Sequence, residues 1–494
     1  MRDKKSFIAK PWFLVLLPVF FVLHGYTEFY PVISFEQCVQ LLLKTLLWTG
    51  IVFGLLYLFY QKDHEKASLS CFLVLLVFVF FGPFHDFIKH WFGTSLITRY
   101  GFLLPMLFLA FIVWLVVSRK KTLRSSRLFS YLSVLFLLLM AIDCFTLLGR
   151  YRSYTASIHE IRSMTPLCSS CDKPDVYLIV ADGYAGDQAL REVFHYNNAK
   201  FQQQLRNRGF HIVNGSTSNY NFTPFTMASL LHMDYLKGLN GSNTDLNDRQ
   251  ICYNLINNNY STSAFETMGY ECKNFSIFRF AEHSPLATSK HYRSGTDLLM
   301  EQTFIGRLDR DIRFNTVTRF KIKSEMDKFL YYELESNKVL YEHFRSEIKT
   351  PSGTPRFCYT HLEMPHYPYY FDSTGRPYPN LSVNKPEEGS DRNKYLNYLV
   401  YSNSKYLELI DEILLNSKRP PVILFISDHG FREYNDSTPL RYHYMNMNAV
   451  LTPGRNYSAF YEGMSTVNLF RSLFNSEFGQ KLPYLKDSTI FIRE

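Results

Sequence analysis

With 494 residues the chain can hold one large α/β domain and a second module beside it. Lys and Arg number 53 against 44 Asp and Glu, yet residues 1–160 alone carry 16 of these cations against 8 of the acids. The net charge of +9 therefore sits with an apolar N-terminal part and calls for no nucleic-acid partner.

Five apolar stretches come first, near residues 12–27, 38–60, 71–88, 101–118 and 128–149. Each is close to the ~20 residues that cross a bilayer, and five in succession predict an α-helical membrane domain over 1–149 rather than buried soluble helices. The flanking cations alternate: Arg2, Lys4, Lys5 and Lys10 precede the first stretch, Lys62 and Lys66 follow the second, and Arg119, Lys120, Lys121, Arg124 and Arg127 follow the fourth. Cationic segments stay inside, so five spans leave the rest of the chain outside a plasma or inner membrane. Lys89 and Arg99 fall on the outer side in this scheme, in a loop with fewer cations than the Arg119–Arg127 stretch.

Residues 150–171 read as a linker, and 172–494 as one extracytoplasmic domain. Cys168 and Cys171 could serve as a disulfide staple, a redox pair or a metal knuckle; with no second pair at knuckle spacing, the staple is favoured. Cys252 and Cys272 are candidates for a second bridge, and Cys358 for packing within a strand.

The outer part alternates strand and helix patterns, which implies a largely parallel sheet with helices on both faces. The apolar run Val176–Ala181 ends in Asp182; Gln188–Gly209 reads as a helix and Phe210–Val213 as a strand. A loop then runs into a helix with Thr223 at its N-cap and Pro224 at N1. Glu325–Ile348 is an amphipathic helix, Phe357–Thr360 a strand that delivers His361 and His366, and Tyr395–Leu415 a helix leading to the apolar run Val422–Ser427. That run ends in Asp428-His429-Gly430. Strand ends in an open α/β sheet converge at its carboxyl edge, so Asp182 and Asp428 can meet although half the chain separates them.

Two carboxylates, an imidazole and a hydroxyl at a helix N-terminus outline a metal-dependent phosphoryl- or sulfuryl-transfer site. A phosphodiester repels a nucleophile, so a cation is needed to lower the hydroxyl's pKa and to hold a non-bridging oxygen. His361, His366 and His443 are candidates for protonating a leaving alkoxide, with His443 placed only by a loop before the strand-like Asn446–Leu451.

These pieces, Pro174–Tyr184, the Thr223 segment, Thr360–Tyr369 and Ile426–Gly430, resemble the alkaline phosphatase superfamily over roughly residues 172–455. The branch resembled is the membrane-anchored, sulfatase-like one that holds lipoteichoic acid synthases and phosphoethanolamine transferases. The resemblance implies an alkaline-phosphatase-like fold. It also implies one divalent metal on Asp182, Thr223, Asp428 and His429, with Thr223 as nucleophile and His366 in a substrate-side segment. An oxygen-rich set of this kind suits zinc or manganese, and two-metal relatives leave a second ion open.

The expected activity is transfer of a phosphoethanolamine- or phosphoglycerol-type group from a membrane lipid to an envelope glycan or lipid acceptor. The alternatives are a phosphodiesterase or sulfate-ester hydrolase of the same type, or a non-catalytic envelope binding module. Sulfatases proper use a formylglycine made from Cys or Ser in a Cys/Ser-x-Pro-x-Arg segment, whereas Thr223–Met227 offers Thr and no Arg. Asn-x-Ser/Thr sequons such as Asn214-Gly215-Ser216 read as chance matches, because Asn221-Phe222-Thr223 would place a glycan beside the nucleophile.

Overall fold

A computed structural model describes residues 10–120, 126–164, 173–236, 252–253, 255–278, 284–288, 294–379, 381, 392–432 and 438–493. Cys168 and Cys171 lie outside the described residues. The chain divides into two compact units, residues 1–154 with 293–322, and residues 155–292 with 323–494. The first unit thus takes in a segment that sequence reading assigns to the outer domain.

The first unit opens with five apolar helices: α1 (Phe13–Glu28), α2 (Phe35–Phe59), α3 (His64–Phe92), α4 (Tyr100–Lys120) and α5 (Ser126–Met164). Four, α2 to α5, are long and apolar enough to cross a membrane, while α1 has 16 residues. Ser34 and Asp63 accept backbone N–H groups at the starts of α2 and α3, which fixes where these helices begin. Phe13, Leu17 and Phe20 of α1 pack with Leu69 and Leu75 of α3 and Phe129, Leu132 and Phe136 of α5. Other large apolar side chains stay exposed, among them Leu47, Trp48, Leu55 and Phe108, as on helices solvated by lipid. Between α1 and α5, His24 Nδ1 lies 3.0 Å from Asp143 Oδ1, and one turn further along α1 the Arg150 guanidinium donates to the Thr27 and Glu28 carbonyls. Both contacts advance along both helices, so α1 and α5 run parallel. α5 continues through Met164, so the expected linker begins as helix.

The second unit is built on β1 (Val176–Ala181), β2 (His211–Ile212), β3 (Glu271–Phe275), β4 (Arg356–Leu362), β5 (Val422–Ser427) and β6 (Asn448–Leu451), in the order β2-β6-β5-β1-β4-β3. The four strands β5, β1, β4 and β3 are parallel, whereas β6 and β2 run antiparallel at one edge. All six residues of β1 and of β5 are buried, as expected of strands covered on both faces. Alternate residues feed two cores: Tyr177 and Ile179 with Phe425 and Tyr406 on one face, Leu178 and Val180 with Leu424 and Phe265 on the other. Each such side chain contributes roughly 1.5–3 kcal/mol by leaving water.

Three local readings change. The helix expected over Gln188–Gly209 is two, α6 (Asp187–Phe194) and α7 (Ala199–Asn207), separated at His195, whose φ of 52° is left-handed. The break is held from inside, since buried Asn198 donates to the Tyr184 hydroxyl at 2.8 Å and accepts from Asn403 at 3.2 Å. The helix expected over Glu325–Ile348 is interrupted at Tyr331, between Lys323–Leu330 and Tyr332–Lys349, where the Tyr370 hydroxyl takes the Leu330 carbonyl at 2.7 Å. The bridge expected between Cys252 and Cys272 is not formed: Cys272 is a free thiol directed at the Thr262 carbonyl, 3.7 Å away. Cys358 packs fully buried in β4, and burial pushes its thiol pKa well up.

Candidate active site and metal centre

β1 lies between β4 and β5, and the registers align Ala181 with Ser427 on one side and Val180 with His361 on the other. The residues that follow, Asp182 and Asp428, therefore leave adjacent strands at the same level, with His361 beside them on β4. Cross-links then fix this edge. Asp428 Oδ1 accepts the Gly183 N–H at 3.0 Å, Ser427 Oγ accepts the Tyr184 N–H at 3.0 Å, and Asn446 donates to the Ser427 carbonyl at 2.7 Å. Gly183 has a φ of +66°, a turn that points the chain back toward β5 and that an L side chain would strain.

Thr223 opens α8 (Thr223–His232), with Phe222 in the cap position. The Thr223 hydroxyl does not cap the helix as the sequence suggests; it donates instead to Asp428 Oδ2 at 2.6 Å. Its oxygen sits at the helix N-terminus, where the dipole favours negative charge. Thr226, one turn on, is fully buried and donates to the Tyr220 carbonyl at 2.8 Å.

His429 Nδ1 lies 2.7 Å from the Gly430 carbonyl, which can only accept, so Nδ1 carries the proton and the Nε2 lone pair points inward. That Nε2 is 3.3 Å from Asp428 Oδ2 and 3.7 Å from Asp182 Oδ1. His361 Nε2 is 3.4 Å from Asp182 Oδ2, and its Nδ1 meets the Tyr359 hydroxyl at 3.1 Å. Ligand-type atoms of Asp182, His361 and Asp428 all fall within 4.8 Å of one another. Asp182 Oδ1, His361 Nε2 and His429 Nε2 are buried without a hydrogen bond. Such atoms are costly unless something joins them, and a divalent cation fits two carboxylates, two imidazoles and a hydroxyl. Burial works against the Asp182 carboxylate, but His366, His361 and His429 together outweigh it and hold its pKa below the usual carboxylate range.

His366 is not one of the grouped ligand-type residues but lies beside them, next to Gly183 in a pocket shared with His429, Tyr369 and Arg432; its Nδ1 is 3.8 Å from Glu333 Oε2. His443 is not one of the closely grouped ligand-type residues Asp182, His361 and Asp428. It is buried, and its backbone carbonyl accepts the Gly430 N–H at 2.8 Å. Two positioning groups escape sequence reading, Tyr359 and Ser427. Tyr359 could have been found, because it lies two residues before His361 on a strand and so shares its face.

A hydroxyl, two carboxylates and two imidazoles meeting at the carboxyl edge of a mainly parallel sheet define an enzyme of the sulfatase-like type. A family model described as Sulfatase matches residues 197–472, more than half of the chain, and the chain belongs to that family. No curated protein sequence matches it. Among solved structures it is similar to the C-terminal periplasmic domain of EptC from Escherichia coli, at 13% identity and a TM-score of 0.39, over 63% of this chain and 83% of that one. It is similar to the integral membrane lipooligosaccharide phosphoethanolamine transferase A of Neisseria meningitidis, at 11% identity and a TM-score of 0.36, over 94% and 95%. It is also similar to the phosphonate monoester hydrolase of Agrobacterium radiobacter, at 13% identity and a TM-score of 0.38, over 61% and 73%.

Proposed function

We propose that the protein is a metal-dependent phosphotransferase. It moves a phosphoethanolamine- or phosphoglycerol-type headgroup from a membrane lipid to an envelope glycan or lipid through a phospho-threonine intermediate. The observation that carries this reading is the Thr223 hydroxyl at the α8 N-terminus, 2.6 Å from Asp428, at the edge that also holds the buried, non-hydrogen-bonded atoms of Asp182, His361 and His429.

Asp182, Thr223, Asp428 and His429 would hold the cation, with His361 as a fifth candidate. A bound zinc or manganese ion would lower the hydroxyl's pKa and neutralise charge on a non-bridging phosphoryl oxygen. Thr223 Oγ1 forms the bond to phosphorus while the bond from phosphorus to the glycerol oxygen of the lipid breaks, releasing diacylglycerol after that oxygen gains a proton. In this reading Asp428, which accepts the Thr223 hydrogen bond, takes the Thr223 proton, and His366 supplies the proton to the leaving oxygen. In the second step an acceptor hydroxyl gives its proton to His366 as its oxygen bonds to phosphorus, and Thr223 Oγ1 leaves and regains its proton from Asp428. Water in place of the acceptor makes the same site a phosphodiesterase.

Multi-pass membrane attachment with the sheet unit outside is supported by α2–α5, the alternating cations and the parallel run of α1 and α5, which calls for an odd number of crossings between them, as α2, α3 and α4 supply. A non-catalytic binding module is disfavoured, since binding alone does not require a hydroxyl, two carboxylates and two imidazoles at one point. The direct test is the mass of a covalent adduct on Thr223 after incubation with total membrane lipid. A phospho-headgroup on Thr223 supports the reading, and turnover with no adduct on any residue overturns it.

A further inference from the structure

Residues 293–322 lie between β3 and β4 in sequence but belong to the helical unit. Their seat is built. The Gln302 carbonyl accepts the Gly82 N–H at 2.9 Å beside Pro83 of α3, and Phe304 packs edge-on against Phe81 at 5.0 Å. Arg307, almost fully buried, donates to Asp86 Oδ1 at 3.0 Å and to Gln302 Oε1 at 2.8 Å, while the Tyr100 hydroxyl bonds Asp311. Gly25 and Gly82 allow this approach, because a Cβ on either would strike Leu299 or the Gln302 carbonyl. Gly295 packs on Val32 and Ile33. All these contacts lie at the α1–α2 and α3–α4 ends of the helices, opposite the cationic ends marked by Lys62, Lys66, Arg119 and Lys120.

The far part of the segment is left uncovered. Arg319, Phe320, Lys321 and Ile322 are all exposed, Phe320 at 70%, and Ile305 is exposed at 59%. The same end of α3 and the loop after it expose Phe87, Trp91, Phe92 and Leu96, so the apolar surface is continuous in kind with an interfacial aromatic belt. Asp309 and Asp311 are neutralised by Arg313 and Arg310, whereas Arg319 and Lys321 have no ion-pair partner among the described residues. Alternating cations and large apolar groups at a membrane boundary match a layer of anionic headgroups over acyl chains.

We propose that residues 304–322 form a membrane-surface element whose tip, Arg319-Phe320-Lys321-Ile322, lies in the outer leaflet and contacts anionic lipid headgroups. The test measures amide exchange of residues 316–323 in the full-length protein, in detergent and in vesicles of phosphatidylcholine with and without phosphatidylglycerol. Exchange slowed several-fold by vesicles, more so with phosphatidylglycerol, is the expected result. The slowing should disappear in Phe320→Ser/Ile322→Ser, and its dependence on phosphatidylglycerol should disappear in Arg319→Gln/Lys321→Gln. These residues are exposed, so neither variant threatens folding. Equal exchange in detergent and both vesicles, or protection that survives the Phe320/Ile322 change, overturns the proposal and assigns the face to another protein. Slowing without any response to phosphatidylglycerol overturns the anionic part.

Discussion

Ala181 and Ser427 are register partners in the parallel β1–β5 ladder, which brings Asp182 and Asp428 to one level although 245 positions separate Gly183 from its hydrogen-bond acceptor Asp428. Because strand register sets this juxtaposition, it does not depend on loop conformation. Metal retention is therefore the measurement closest to the architecture.

Asp428→Asn keeps the shape of the residue and removes a charge. The Asn side chain can still accept from Gly183 N–H, so the fold should persist while metal content, read by elemental analysis of purified protein, falls severalfold. Full occupancy in this variant would remove Asp428 from the ligand set.

Thr223→Ala should abolish both turnover and adduct formation. Thr226→Ala should keep the adduct and lose about 1 kcal/mol of stability, the usual worth of one buried hydrogen bond. An adduct mapped to Thr226, or near-normal turnover by the Thr223 variant, contradicts the assignment.

Tyr359→Phe removes only the hydroxyl beside His361 Nδ1. Groups that orient a metal-ligating histidine typically matter by 10–100-fold in affinity, and a loss in that range is expected in metal titrations with the melting temperature little changed. Unaltered affinity would show that His361 acts away from the metal.

Gly430→Ala would drive a methyl group into the Tyr442 and Met445 carbonyls behind His429. Overpacking of this kind costs about 1–3 kcal/mol, and the displaced strand end should also weaken metal binding. Chemical denaturation and metal titration of the same variant check the two effects together.

Membrane orientation is tested by thiol labelling of intact cells. A cysteine at exposed Ser373 should react with an impermeant reagent, and one at Ser126, at the start of α5, should not. The opposite pattern would place the catalytic edge in the cytoplasm.

The parts of this site that were legible in sequence are those written by short-range rules. Asp182 and Asp428 follow unbroken apolar runs, and such runs of six residues have few homes other than a doubly covered strand. Thr223 was legible from Pro224, but its partner was not, because Asp428 lies 205 positions away. His361 was expected at the sheet edge; that its Nε2 meets Asp182 Oδ2 follows only from the β1–β4 register. The break at His195 was hidden for the same reason, since the side chains that hold Asn198 come from Tyr184 and Asn403. Residues 293–322 gave no sign of leaving the sheet unit, because what they pack against is helix surface specified near the start of the chain.

The bond from Gly82 to Gln302 carries a consequence for biogenesis. The helical unit cannot be finished when its fifth helix emerges from the ribosome: the clefts at Gly25 and Gly82 stay open until more than a hundred further residues have been made. Quality control that samples unfinished membrane proteins would meet this chain with its polar Asp86 still unpaired, and a product cut after α5 would keep that defect permanently. Cells expressing the helices alone should therefore degrade them faster than the whole chain.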